Sequence, residues 1–165
     1  MKLKVIFSLL MLFLVLSVVP TLSFASEPAG DYDWLKPRLA ATKAFTLEVL
    51  EAMPDDKYDY RANEDVRTFK EQAYHIAYSI DYYKRVFAGN PRAAWEPGKE
   101  DTKNKAELIA WTNEQFDEIE KVIMAASNDP RLTAGIIAFL DHNAHHRGQL
   151  IIYLRSSGIE PPAYK

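Results

Sequence analysis

The 165-residue sequence contains no cysteine. That absence excludes a disulfide framework, a nucleophilic thiol and the acylated cysteine of a lipoprotein, so packing alone must hold the fold. Basic clusters are missing as well, and the formal net charge is −3. A mildly acidic chain without a basic face excludes nucleic acid as an expected partner. No glycine-rich phosphate loop, no Ser/His/Asp order of a hydrolytic triad and no internal repeat is present. Nor does any segment of helix-like length alternate polar and apolar residues as a strand would.

The sequence also lacks an apolar run of the roughly 20 residues that a membrane-spanning helix needs. The longest, Val5 to Val19, follows Lys2 and Lys4 and is broken by Pro20. Ser23-Phe24-Ala25 then offers small residues at alternate positions before a cleavage point. This is the pattern of a secretory signal peptide. We expect residues 1–25 to be removed after Ala25 and residues 26–165 to form one exported domain, periplasmic or secreted, with no stable membrane insertion after cleavage. Losing Lys2 and Lys4 takes the net charge from −3 to about −5.

What is present is helical periodicity, in four segments. The first carries Leu35, Leu39, Val49 and Met53 on one stripe, interrupted by Thr42 and Thr46, and ends at Pro54-Asp55-Asp56. Pro37 fits only within its first turn. The second opens at Thr68-Phe69-Lys70-Glu71, a capping-box pattern. Phe69, Ile76, Ile80, Tyr83 and Phe87 form its stripe, and Gly89 supplies a left-handed stop. Asn104 and Glu107 cap the third, which carries Leu108, Trp111, Phe116, Ile119, Val122 and Ile123. The fourth is expected over Thr133 to Ser157, with Gly158 and Pro161-Pro162 ending it. Four long amphipathic helices imply an all-α, antiparallel-type four-helix bundle whose crossover order the pattern leaves open.

Three of the four histidines fall within "LDHNAHHRGQL". At about 100° per residue, His142 and His146 share one edge of the apolar arc built by Ile136, Phe139, Leu140, Leu150, Ile151 and Leu154, whereas His145 points away from it. The fourth, His75, lies at the edge of the second helix's stripe, with Gln72 and Ser79 close in projection. If these two helices face each other, His75, His142 and His146 converge. Three neutral imidazoles suit zinc, nickel, copper or iron(II) better than hard cations. A three-histidine zinc site leaves a position for solvent, as catalytic sites do. Asp141, Glu71 and Gln149 are candidates to hold a ring tautomer, set against a solvated-surface role for each. Arg147 projects into the apolar arc beside Asn143, either paired with a buried carboxylate, at a subunit interface, or snorkelling. Thr42 and Thr46 either face a polar cavity or bond back to helix carbonyls.

The stretches "YDYRANEDVRTFKEQAYHIA", "DHNAHHRGQLIIYLRSSGIEPPAY" and, more loosely, "NKAELIAWTNEQF" resemble the DinB-like metal-binding four-helix proteins, the DinB/YfiT group. With the first helix, the resemblance covers nearly all of residues 26–165. It implies metal ligation by one histidine of the second helix and the outer two of the HxxxH in the fourth, which fall on His75, His142 and His146. It further implies a divalent ion, commonly zinc or nickel, with solvent completing its shell, and a bundle that often pairs as a homodimer. Relatives include metal-dependent thiol transferases and a thiol-dependent maleylpyruvate isomerase. The expectation is therefore an exported divalent-metal-binding protein acting on a small molecule, as a metal-dependent hydrolase or thiol S-transferase, with a non-catalytic metal-binding or structural module as the alternative. Export departs from the cytoplasmic setting of the thiol transferases, whose thiol cosubstrates are mainly cytosolic reductants.

Overall fold

A computed structural model describes residues 30–164. The expected signal peptide and its cleavage point lie outside the described residues. Within them are four α-helices and no strand: α1 (Lys36–Ala52), α2 (Phe69–Phe87), α3 (Lys105–Met124) and α4 (Pro130–Ser156), with short 3-10 turns at Asp33–Leu35 and Asp55–Lys57. Among the described residues, no helix is long and apolar enough to cross a membrane.

The helix starts follow from local chemistry. Pro37 lies in the first turn of α1, where its missing N–H costs nothing. Thr68 Oγ1 accepts from the Glu71 backbone N–H at 3.1 Å while Glu71 Oε2 accepts from the Thr68 N–H at 2.6 Å. Asn104 and Glu107 repeat this reciprocal cap at the start of α3. Gly89 has φ +98°, the left-handed stop expected after α2. One boundary corrects the sequence reading: α4 starts at Pro130, ahead of the expected Thr133. Asp129 Oδ1 accepts from the backbone N–H groups of Arg131 and Leu132 at 2.6 and 3.0 Å, and Pro130 occupies the first helical position. Pro130, which a start at Thr133 would leave outside the helix, is thus part of its first turn.

Helices α1 and α2 each pack on α3 and α4 and hardly on each other, so α1 lies diagonal to α2 and α3 to α4. Contacts fix the directions. Lys105 Nζ donates to the carbonyls of Glu51 and Met53, at the far end of α1, so α1 and α3 are antiparallel. Tyr74 stacks on Trp111 and Lys84 pairs with Glu118, so α2 and α3 are parallel. Tyr83 meets Phe139 while Phe69 meets Tyr153, so α2 and α4 are antiparallel. Tyr32 bonds to Asp129 and Lys57 to Ser157, so α1 and α4 are parallel. The bundle is thus antiparallel at only two of its four faces. Parallel neighbours joined in sequence need a connection that returns along the helix, about 28 Å for the 19 residues of α2. Residues 88–104 form that crossover.

The core lies where the four apolar stripes meet. Val49 and Leu50 of α1, Ile76 and Ile80 of α2, Leu108, Ile119 and Ile123 of α3, and Leu150 and Leu154 of α4 are fully buried. Each such side chain contributes about 1.5–3 kcal/mol through burial, enough to fix the facing of all four helices without a covalent crosslink.

Candidate metal centre

The antiparallel packing of α2 on α4 brings His75 against His142 and His146. The two α4 rings are one turn apart, and their centroids are 4.4 Å from each other. The His75 ring lies 4.4 Å from that of His146 and 5.4 Å from that of His142. His75 Nε2 and His146 Nε2 are 3.1 Å apart, and one nitrogen from each of the three rings falls within 4.8 Å of the others. Tetrahedral zinc with nitrogen ligands needs separations of roughly 3.4 Å. All three histidines selected from the sequence are brought together, and His145 is not among them. It is exposed, with Nε2 3.2 Å from the Gln149 amide nitrogen.

Burial decides the charge state. Desolvation, reinforced by His146, Arg67 and His142, pushes His75 down to about 3. Desolvation with His146 and His145 nearby pushes His142 down to about 4. His146 is lowered too, chiefly by burial, although its bond to Gln149 and the Glu100 charge oppose the shift. His75 and His142 are therefore neutral, with lone pairs available, at any ordinary pH, and His146 is shifted the same way. Neutral imidazole is the form that ligates. In addition, His142 Nε2 and His75 Nδ1 are buried without a hydrogen-bond partner, an arrangement that costs free energy unless something else engages these atoms. The donor set and the orphaned nitrogen of His142 fit a borderline divalent ion.

Of the residues considered as supports for these rings, Gln149 reaches one. Its Oε1 is 2.8 Å from His146 Nδ1, and the Gln72 amide nitrogen is 2.6 Å from the same atom. Glu71 is used by the α2 cap and Asp141 is exposed. The sequence reading missed Glu100, Arg67 and Trp95. Glu100 Oε1 approaches His75 Nδ1 at 3.6 Å. Arg67 grips the same carboxylate at two points, Nε to Oε2 at 2.5 Å and Nη2 to Oε1 at 3.2 Å. The Trp95 ring meets His75 edge-on at 5.5 Å. Glu100 and Trp95 belong to the crossover, where helical periodicity carries no signal.

A cavity of about 610 Å³ opens beside His146, lined also by Arg67, Gln72, Gln149, Ile152 and Tyr153. This volume suits a small organic molecule. Tyr153 donates its phenol proton to the Arg67 carbonyl at 2.6 Å, which ties the cavity wall to α4.

On the opposite face of α4, Arg147 is 4 % exposed. Its guanidinium donates to Asn143 Oδ1 at 3.0 Å and Thr46 Oγ1 at 3.2 Å and lies over the Phe45 ring at 4.7 Å. Thr46 in turn donates to the Thr42 carbonyl at 2.7 Å. This polar seam joins α1 to α4 away from the histidines.

Three comparisons bear on this architecture. The fold superimposes on the crystal structure of a DinB-like protein, YjoA of Bacillus subtilis, with a TM-score of 0.64 over 80 % of this chain and 98 % of that one, at 20 % identity. The sequence aligns with the uncharacterized protein YjoA of Bacillus subtilis (strain 168) at 24 % identity over 134 residues, 73 % of this chain and 87 % of the relative. Finally, the sequence profile of the DinB superfamily matches residues 38–150, from the first turn of α1 to beyond His146. With four helices, a matching fold and a profile match across most of the described chain, the protein belongs to the DinB superfamily.

Proposed function

We propose that this protein is an exported divalent-metal-binding protein in which His75, His142 and His146 hold zinc or nickel, and that it acts on a small molecule as a metal-dependent hydrolase or thiol transferase. The observation that carries the reading is the convergence of three desolvated imidazoles, one of which, His146, lines the adjoining cavity. Iron(II) or copper would also accept such donors. When bound, a divalent ion supplies Lewis acidity that polarises a carbonyl or lowers the pKa of a thiol or water. The chain's residues then have separate tasks. The three rings hold the ion, Gln149 orients His146, and the Arg67, Ile152 and Tyr153 wall offers one cationic and two apolar surfaces to a ligand. The N-terminal segment supports placement in the periplasm or outside the cell.

A non-catalytic module is the second reading, favoured by the way the histidines bridge α2 and α4, so that an ion would tie two helices together. It predicts an ion with no small molecule binding in the cavity. Elemental analysis of protein purified without a histidine tag or chelator tests the shared premise. About one equivalent of zinc or nickel is expected in the wild type and none in His142→Ala. No metal in either protein would overturn both readings. NMR titration of zinc-loaded protein with small thiols and esters separates them, with shifts at Ile152 and Tyr153 expected for the enzyme and none for the module.

A further inference from the structure

We propose that Glu100 is a positioning residue for the metal centre: its carboxylate, clamped by Arg67, accepts a hydrogen bond from the Nδ1–H of His75 and so directs the Nε2 lone pair toward His142 and His146. The proposal rests on the metal-binding reading above and names a group outside the three ligands.

Proton bookkeeping on the two facing rings requires it. The contact between His75 Nε2 and His146 Nε2, 3.1 Å long, holds one proton between two nitrogens. Each ring is neutral, so one carries its proton on Nε2 and the other on Nδ1. Ligation through both Nε2 atoms requires both protons on Nδ1. The count is unchanged, but one ring has exchanged its tautomer. Each Nδ1–H then needs an acceptor, because a buried donor without one costs about 1–3 kcal/mol. His146 has the Gln149 oxygen at 2.8 Å, and the Gln72 amide, whose nitrogen lies 2.6 Å from the same Nδ1, turns its oxygen to that proton when the ring takes this tautomer. His75 has the Glu100 carboxylate at 3.6 Å, with its Nδ1 otherwise buried and unpartnered.

The carboxylate is also held in place. Its side chain is 16 % exposed, and Arg67 binds both oxygens. The Arg67 carbonyl is fixed by the Tyr153 phenol. The crossover is pinned nearby, where Tyr78 Oη accepts from the Glu96 N–H at 2.6 Å and Trp95 packs on both Tyr78 and His75. Closing from 3.6 Å to a hydrogen bond requires a shift of less than about 1 Å. An ionised acceptor behind a ligating histidine both fixes the ring and raises its basicity, and loss of such a partner typically lowers metal affinity 10- to 100-fold. A merely structural alternative exists, in which the Arg67–Glu100 ion pair only staples the crossover to the bundle.

The experiment compares wild type, Glu100→Gln and Arg67→Gln in the full domain, reading zinc affinity by competition with a chromogenic chelator and the His75 Nδ1–H resonance in zinc-loaded, ¹⁵N-histidine-labelled protein. We expect Glu100→Gln to lose about 10- to 100-fold in affinity, with a smaller loss in Arg67→Gln, and the downfield His75 Nδ1–H signal of the wild type to move upfield or exchange away in Glu100→Gln. Unchanged affinity and resonance in Glu100→Gln would overturn the proposal while leaving the metal site standing. Equal losses in the two variants with the resonance intact would overturn it in favour of the staple. A wild type that binds no zinc would overturn the metal reading and this proposal together. Metal-free melting curves verify that the variants fold. Should Glu100→Gln fail to, Glu100→Asp, which keeps the charge at shorter reach, is expected to bind with intermediate affinity, and wild-type affinity there would count against positioning.

Discussion

His75, His142 and His146 sit where burial and mutual repulsion both oppose protonation, and the cost appears only in acid. The folded chain keeps His75 and His142 neutral down to about 3 and about 4. An unfolded chain protonates them near the ordinary value of about 6.5. Between these limits the unfolded state binds more protons, so metal-free stability falls as pH drops from about 6.5 toward 3, and these groups contribute nothing to pH dependence above that window. Urea unfolding of metal-free protein at pH 7.5 and pH 5 checks the sign: a lower midpoint at pH 5 is expected in the wild type, with a smaller drop in His75→Gln. The three candidate ligands were legible at this scale because helical spacing and the family pattern select the same side chains. Glu100 was not, because nothing in a loop's sequence says which helix face it crosses.

At the scale of the element, local chemistry in the sequence accounts for nearly every helix end. Thr68 with Glu71 and Asn104 with Glu107 make reciprocal caps that four-residue patterns announce. The start of α4 rests on Asp129, whose single carboxylate oxygen accepts from two backbone N–H groups. Replacing Asp129 by alanine is expected to cost about 1 kcal/mol, read as a lower urea midpoint at unchanged slope, with metal affinity unaltered because the histidines lie more than two turns further along the helix. A loss of metal affinity would show that the α4 start and the metal centre are coupled. The misplacement of this start at Thr133 has a plain cause: in "SNDPR" an Asp-Pro step serves equally as a turn and as a cap followed by a first-turn proline. The same ambiguity does not arise at α2, where threonine and glutamate leave one reading.

The whole molecule turns on the crossover. Because α2 and α3 run parallel as neighbours, residues 88–104 travel back along the bundle and lay Trp95 and Glu100 over the rear of His75. On the proposed reading, an ion held between α2 and α4 would contribute to the stability of the folded state. Zinc present at 100 times its dissociation constant adds about 2.7 kcal/mol, so the melting temperature is expected to rise by on the order of 10 °C over chelator-treated protein. His142→Ala should show little of that rise. An equal rise in the variant would place the ion elsewhere.

The sequence by itself determined the helical class, the apolar stripes, most helix ends and the three candidate ligands, since each depends on spacing along one helix or on contacts within four residues. Of the two threonines, Thr46 bonds back to the carbonyl four residues earlier, whereas the buried Thr42 hydroxyl has no hydrogen-bond partner. Tertiary structure alone decided that α1 lies diagonal to α2, that two of the four faces are parallel, and that Glu100 lies 3.6 Å from His75 Nδ1 while Arg147 turns to Asn143 and Thr46. These contacts join residues far apart in the chain, and they are set by how four amphipathic stripes close on one core, a choice to which periodicity within a single helix is blind.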